Sequence, residues 1–150
     1  FNLQQMGQHA RQAAFLMAKA SSSQKNDALL KLADQLEQAE AVIMEANEKD
    51  QQAAGLSGLS DAMIDRLSLK GRLKGLIEDV KQIVRLPDPV GEEFEKSTLE
   101  NGLQVCKRRT PIGVLGVIYE SRPNVTIDVT ALTIKTGNCA ILRGGSETLQ

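Results

Sequence analysis

The stretch PIGVLGVIYESRPNVTIDVTALTIKTGNCAILRGG, residues 111–145, changes its hydrophobic period twice. Residues 112–119 form a near-continuous apolar run, the pattern of a strand buried on both faces. From Val125 through Val129 and Leu132 to Lys135 the spacing is helical, and Gly137 supplies a C-terminal cap. A second apolar run, 138–143, follows. Strand, helix and strand over this length predict a βαβ unit, with 112–119 and 138–143 as adjacent parallel strands and a helix over 124–135. Ligands of such sheets collect beyond the carboxyl ends of the strands. The segment Glu120-Ser121-Arg122-Pro123-Asn124 lies at one such end and Arg143-Gly144-Gly145-Ser146-Glu147 at the other. Two polar loops should therefore share one rim, each leading into a helix whose free N–H groups and positive dipole end suit phosphate.

Upstream the signals are helical, then hairpin-like. Met6, Ala10, Ala13, Ala14, Met17 and Ala20 recur at helical spacing over 4–20. The Ser21–Ser23 run offers a cap, and Leu29, Leu32, Leu36, Ala39, Ile43 and Ala46 make one apolar stripe, read as a core face, to about Gln52. Short helices are expected at 61–67, capped by Ser60, and at 69–84, stopped by Pro87 and Pro89. After Gly91, Asn101-Gly102 sits between two alternating runs, a strong hairpin signal covering 93–109. The hairpin is thin in apolar residues, as an edge or bridging ribbon would be. The fold class is α/β: a helical N-terminal layer over 1–90, the hairpin over 93–109, and the first βαβ of a parallel Rossmann-like sheet over 111–150.

Bulk properties exclude several functions. Lys and Arg number 18 against 19 Asp and Glu, a net charge of −1, so no basic field points to nucleic acid. Three Phe, one Tyr and no Trp leave little for base stacking. No apolar run reaches the roughly 18 residues of a membrane span, and no signal peptide is visible at the start. Cys106 and Cys139 fit neither a disulfide framework nor a metal motif, and with His9 as the only histidine no metal site is arguable. A reducing cytoplasm is the expected compartment. The start at Phe1 and the ending in a cut-short helical pattern suggest a piece of a longer chain.

The candidate residues each carry an alternative. Asn124 could act as a helix N-cap or as an amide donor to a ligand. Arg122 could pair with Glu120 on the surface or grip a phosphate or carboxylate through its planar fork. Gly144 and Gly145 could serve only a tight strand-to-helix turn. Cys139 reads as inert core, and Cys106 as part of the ribbon. Lys107-Arg108-Arg109 reads as a solvated strand end, and His9 as a solvated helix residue.

RRTPIGVLGVIYESRPNVTIDV and LTIKTGNCAILRGGSE, with GLSDAMIDRLSL and VRLPDPVG upstream, resemble the gamma-glutamyl phosphate reductases, a family of the aldehyde dehydrogenase superfamily. Arg122-Pro123-Asn124 stands where ordinary superfamily members carry Pro-Trp-Asn. The resemblance implies the aldehyde dehydrogenase fold and reductive dephosphorylation of L-glutamyl 5-phosphate with NADPH, in proline biosynthesis. A cysteine thiolate displaces phosphate to form a thioester, and hydride reduces the thioester to the semialdehyde. It implies Asn124 as the donor to the oxyanion, Arg122 at the substrate, and Arg143, Gly144, Gly145, Ser146 and Glu147 at the cofactor. Arg143 takes the place of a superfamily lysine that contacts the adenosine ribose or its 2′-phosphate; which of Ser146 and Glu147 meets the ribose stays open. Neither Cys106 nor Cys139 matches the family's nucleophile, so the catalytic domain is expected outside this chain and residues 1–150 alone are expected to be inactive. The partners implied are a small acyl phosphate and, for the full-length enzyme, further copies of itself. A nucleotide-binding module without catalysis, or another superfamily member acting on a free aldehyde, are the alternatives.

Overall fold

A computed structural model describes residues 2–120 and 122–145. Five helices come first: α1 (Leu3–Met17), α2 (Ser22–Gln38), α3 (Glu40–Leu56), α4 (Asp61–Leu67) and α5 (Leu73–Arg85). Then follow β1 (Glu93–Thr98), β2 (Gln104–Arg108), β3 (Val114–Ile118), α6 (Pro123–Lys135) and β4 (Cys139–Arg143). The α/β class, the hairpin and the parallel βαβ unit are as the sequence predicts.

The core is the junction of α2, α5 and α6. Leu29 and Ala33 of α2, Leu73, Ile77 and Val80 of α5, and Ala131 of α6 are buried together. Removing a Leu or Val side chain of this size from water contributes about 1.5–3 kcal/mol. Because α6 joins this helical cluster and also packs on β4, it ties the N-terminal layer to the sheet. α2 starts with a capping box: Ser21 Oγ accepts from Gln24 N–H, and Gln24 Oε1 accepts from Ser21 N–H.

The single stripe expected from Leu29 to about Gln52 is two helices, broken at Ala39. The break lets the two halves bury different faces. α2 packs on α5 and α6, whereas α3 packs on α4 and buries Asn47. Asn47 Nδ2 donates to the Leu67 carbonyl at 2.7 Å and its Oδ1 accepts from Leu69 N–H at 2.8 Å, so a side chain satisfies the backbone between α4 and α5. The helix expected from Leu69 begins only at Leu73, because Gly71 takes φ +72 in the intervening turn. Ser60 holds the N-cap position of α4, but its side chain makes no capping bond.

β1 and β2 are antiparallel, with a bulge between Phe94 and Ser97. Gly102 N–H bonds to the Leu99 carbonyl and Leu99 N–H to the Leu103 carbonyl. With Gly102 at φ +83 this is a three-residue loop ending in a left-handed glycine, so Asn101-Gly102 does not form a two-residue turn. Every strand residue of the hairpin except Phe94 is exposed.

β3 and β4 pair in parallel, Val114 with Cys139 through Ile118 with Arg143. The expectation that the first apolar run, 112–119, is buried on both faces is corrected: the strand is only Val114–Ile118 and half-buried at most, with Ile118 75% exposed and Ile112, ahead of it, 79%. β3 and β4 make a two-stranded sheet separate from the hairpin, with helix packing on β4 stronger than on β3.

Candidate functional site

α6 opens with Arg122 at N-cap, Pro123 at N1 and Asn124 at N2. Proline suits N1 because it lacks an N–H that would be unsatisfied there and its φ is already helical. This placement excludes the N-cap alternative for Asn124. The Asn124 side chain instead runs along the helix, donating from Nδ2 to Asp128 Oδ2 at 3.4 Å, one turn on. An amide nitrogen carries two N–H groups, so a second donor remains.

Arg122 and Asn124 line a cleft of about 480 Å³ against the start of α5, together with Asp65, Arg66, Arg72, Gly75 and Asp79. A second depression of about 330 Å³, lined by Met63, Tyr119, Glu120 and Val125, shares Arg66 and Arg122 with it. On the wall, Arg72 pairs with Asp65 at 3.0 Å and donates to the Asp65 and Ser68 carbonyls. Arg66, Asp79, Arg122 and Asp128 are in no ion pair among the described residues, so the surface pairing of Arg122 with Glu120 is not formed. Gly75 leaves the floor open: a Cβ there would meet nothing within 4 Å. Burial pushes the Asp128 carboxyl above the usual carboxylate range; the Asn124 hydrogen bond opposes the rise, and the charge of Asp79 adds to it.

The two polar loops do leave the sheet side by side. Ile118 is in register with Arg143, and Tyr119 N–H donates to the Arg143 carbonyl at 3.1 Å. Tyr119 Oη is fixed at 2.6 Å from Thr126 Oγ1 on the first turns of α6. Arg143 is exposed and in no ion pair among the described residues, so its guanidinium can meet an external phosphate. Gly144 and Gly145 follow, half-buried. Ser121, Ser146 and Glu147 lie outside the described residues. Arg143 does not line the cleft that holds Arg122 and Asn124.

No protein-family model matches the chain. Among curated proteins it is 56% identical over 144 residues to the gamma-glutamyl phosphate reductase of Tolumonas auensis, covering 95% of this chain and 34% of that protein. The enzyme of the same name from Proteus mirabilis is 56% identical over 147 residues, 97% of this chain and 35% of that protein. The solved gamma-glutamyl phosphate reductase of Thermotoga maritima superposes with TM-score 0.93 at 38% identity, over 99% of this chain and 36% of that one. That of Saccharomyces cerevisiae gives 0.93 and 38%, over 97% and 37%. Over nearly its whole length the chain is a homologue of the gamma-glutamyl phosphate reductases. It spans about a third of the length of these relatives.

Neither cysteine is on the loop or helix turn that carries Asn124. Cys139 opens β4, at the end of the strand opposite the rim, half-buried, and burial raises its thiol pKa. Cys106 is exposed in the hairpin. His9 is exposed on α1, as expected. Lys107 and Arg109 are more engaged than a solvated strand end would be: Lys107 pairs with Glu95, Arg109 with Glu92, and the Arg109 guanidinium lies 5.2 Å from the Phe94 ring centroid.

The sequence reading missed Arg66, Asp79 and Asp128. Asp128 had a visible signal, its i, i+4 relation to Asn124. It also missed a buried ionic cluster at the other end of α6. Lys25 pairs with Asp88 at 2.6 Å, and Asp88 also accepts from Ser22 Oγ and Val90 N–H. Lys135 Nζ donates to Asn26 Oδ1 at 2.9 Å and to the Val84 carbonyl at 3.0 Å.

Proposed function

We propose that this chain is part of an enzyme that reduces L-glutamyl 5-phosphate to glutamate 5-semialdehyde with NADPH, in the cytoplasm. The observation that carries the reading is 56% identity to a gamma-glutamyl phosphate reductase over 95% of the chain. In this reading residues 1–150 are the amino-terminal portion of the NADP-binding domain, with the hairpin as a bridging ribbon of a homo-oligomer. The exposure of nearly all its strand residues supports that role.

Attack on the acyl carbon and reduction of the resulting thioester both put negative charge on the carbonyl oxygen. Asn124 is the donor to that oxygen. Its amide does not titrate, and its position at N2, held by Pro123 before it and Asp128 after it, fixes its direction. A fixed donor of this kind is worth about 2.7–4 kcal/mol in the transition state. Arg122 grips an anionic group of the substrate. Arg143, at the end of β4, holds the 2′-phosphate of the dinucleotide, with Gly144, Gly145, Ser146 and Glu147 completing the cofactor loop. When bound, NADPH supplies the hydride.

The test uses the full-length protein with glutamyl phosphate and NADPH. Loss of nicotinamide absorbance matched by phosphate release is expected. Turnover of free aldehydes without any need for phosphate would favour another superfamily activity. Residues 1–150 alone should show neither, because neither Cys106 nor Cys139 is set beside Asn124.

A further inference from the structure

Arg66, in the last turn of α4, and Arg122, at the N-cap of α6, both line the cleft of about 480 Å³ and the depression of about 330 Å³ beside it. The two hollows therefore meet at a pair of guanidiniums. Both side chains are exposed, and neither is in an ion pair among the described residues. The carboxylates nearby do not neutralise them. Asp65 is taken by Arg72 at 3.0 Å, Asp79 lines only the larger hollow, and Glu120 lines only the smaller. Like charges at one rim repel, and a dianion relieves the repulsion by taking a planar fork on each side. The first turn of α6 adds its positive dipole end at the same place. Gly75, on the α5 wall, leaves room for the group.

The position of Asn124 decides which anion of the substrate this is. Asn124 lines the larger hollow together with both arginines. In an acyl phosphate the phosphorus is joined to the acyl carbon through a single bridging oxygen, whereas the α-carboxylate lies at the far end of the chain. With the acyl oxygen at Asn124, the anion that falls beside it is the phosphoryl group, whose double charge two guanidiniums match. We propose that Arg66 and Arg122 together form the phosphate subsite and hold the phosphoryl group as it leaves. As the bond from thiolate sulfur to acyl carbon forms, the carbon–oxygen bond to phosphate breaks. Its electron pair stays on the phosphate, which takes a proton from water, and the two guanidiniums stabilise the charge that builds there. The proposal rests on the reductase reading above and adds Arg66, from the helical layer, to the residues that touch substrate.

The test runs the full-length protein in the aldehyde-oxidising direction, where glutamate 5-semialdehyde and inorganic phosphate are separate substrates, with NADP saturating. In Arg66→Gln the KM for phosphate should rise about 10- to 100-fold, the loss of one contact to a charged group, while the KM for the semialdehyde stays near the wild-type value. Arg122→Gln should act in the same direction. Arg66→Lys keeps the charge without the planar fork and should recover part of the loss. Each variant changes an exposed side chain in no described ion pair, so each should fold. A raised KM for the semialdehyde with that for phosphate unchanged would give the pair to the carboxylate and overturn the proposal. Equal rises in both constants, or no change in either, would also overturn it, and all three outcomes leave the reductase reading intact. A wild-type protein without phosphate-dependent turnover overturns the reductase reading, and the proposal with it.

Discussion

The two ends of α6 handle charge in opposite ways. At its C-terminus Lys135 is 4% exposed and Lys25 2%, and each of their polar contacts is met by Asp88, Asn26 or the Val84 carbonyl. At its N-terminus Arg122 lines a cleft, Asp128 bonds to Asn124 beside it, and neither pairs with an opposite charge among the described residues. A buried charge without partners costs several kcal/mol, so the closed end is fastened by necessity. An unpaired charge at an open cleft costs little until a ligand arrives. On the proposed reading, the closed end serves folding and the open end binding.

The strongest blow to this contrast comes from the closed end. Asp88→Ala would leave Lys25 and Lys135 buried without their anion and should lower stability by about 3–5 kcal/mol, read by denaturant unfolding of the full-length protein. A loss below 1 kcal/mol would mean that water already screens the cluster. The same carboxylate sets an acid limit. Burial works to raise its pKa, but hydrogen bonds from Lys25, Ser22 and the Val90 N–H together hold it below the ordinary carboxylate value. A depressed folded-state pKa gives stability that is complete above the unfolded value. That stability drains as pH falls through the folded one. The wild-type protein should therefore lose stability below the usual carboxylate range, and Asp88→Asn should flatten that part of the profile.

Gly137 gives a smaller effect at the same end. It closes α6 with φ +69, where Gly137 N–H bonds to the Ile134 carbonyl and Asn138 N–H to the Thr133 carbonyl. A Cβ would come within 3.1 Å of Pro111 Cγ and 3.3 Å of the Met17 carbonyl oxygen. Gly137→Ala should cost about 1–2 kcal/mol from the left-handed backbone, lowering the thermal midpoint. The smallest effect is expected at the open end. Arg122→Gln should change stability by no more than about 0.5 kcal/mol, because it breaks no described ion pair. A large loss there would erase the distinction between the ends.

Much of the fold was legible because it rests on local period. The shift from helical spacing to apolar runs marks the βαβ unit, and Asn101-Gly102 marks the hairpin. The break at Ala39 was hidden because Leu36 and Ile43 keep helical spacing across it; only the separate partners of α2 and α3 demand it. The buried role of Lys135 was hidden for a similar reason, since Asn26 and Asp88 lie far away in sequence. At the site, the expected helix began at 124 with Asn124 as a possible cap; the proline before it, suited to N1, was the overlooked signal that moves asparagine inside the helix. Arg66 and Asp79 could not be found from the sequence, because only the packing of α4 and α5 beside α6 brings them to Asn124.

The claim that the open end is where chemistry happens stands on Asn124. The direct measurement is kcat and NADPH affinity of the full-length protein with Asn124→Ala, using glutamyl phosphate as substrate. Alanine is a good helix former and Asn124 makes no cap, so the fold should be unaffected. Turnover should fall about a hundredfold or more with NADPH affinity nearly unchanged. Unchanged turnover, or an equal loss of cofactor binding, would contradict the account.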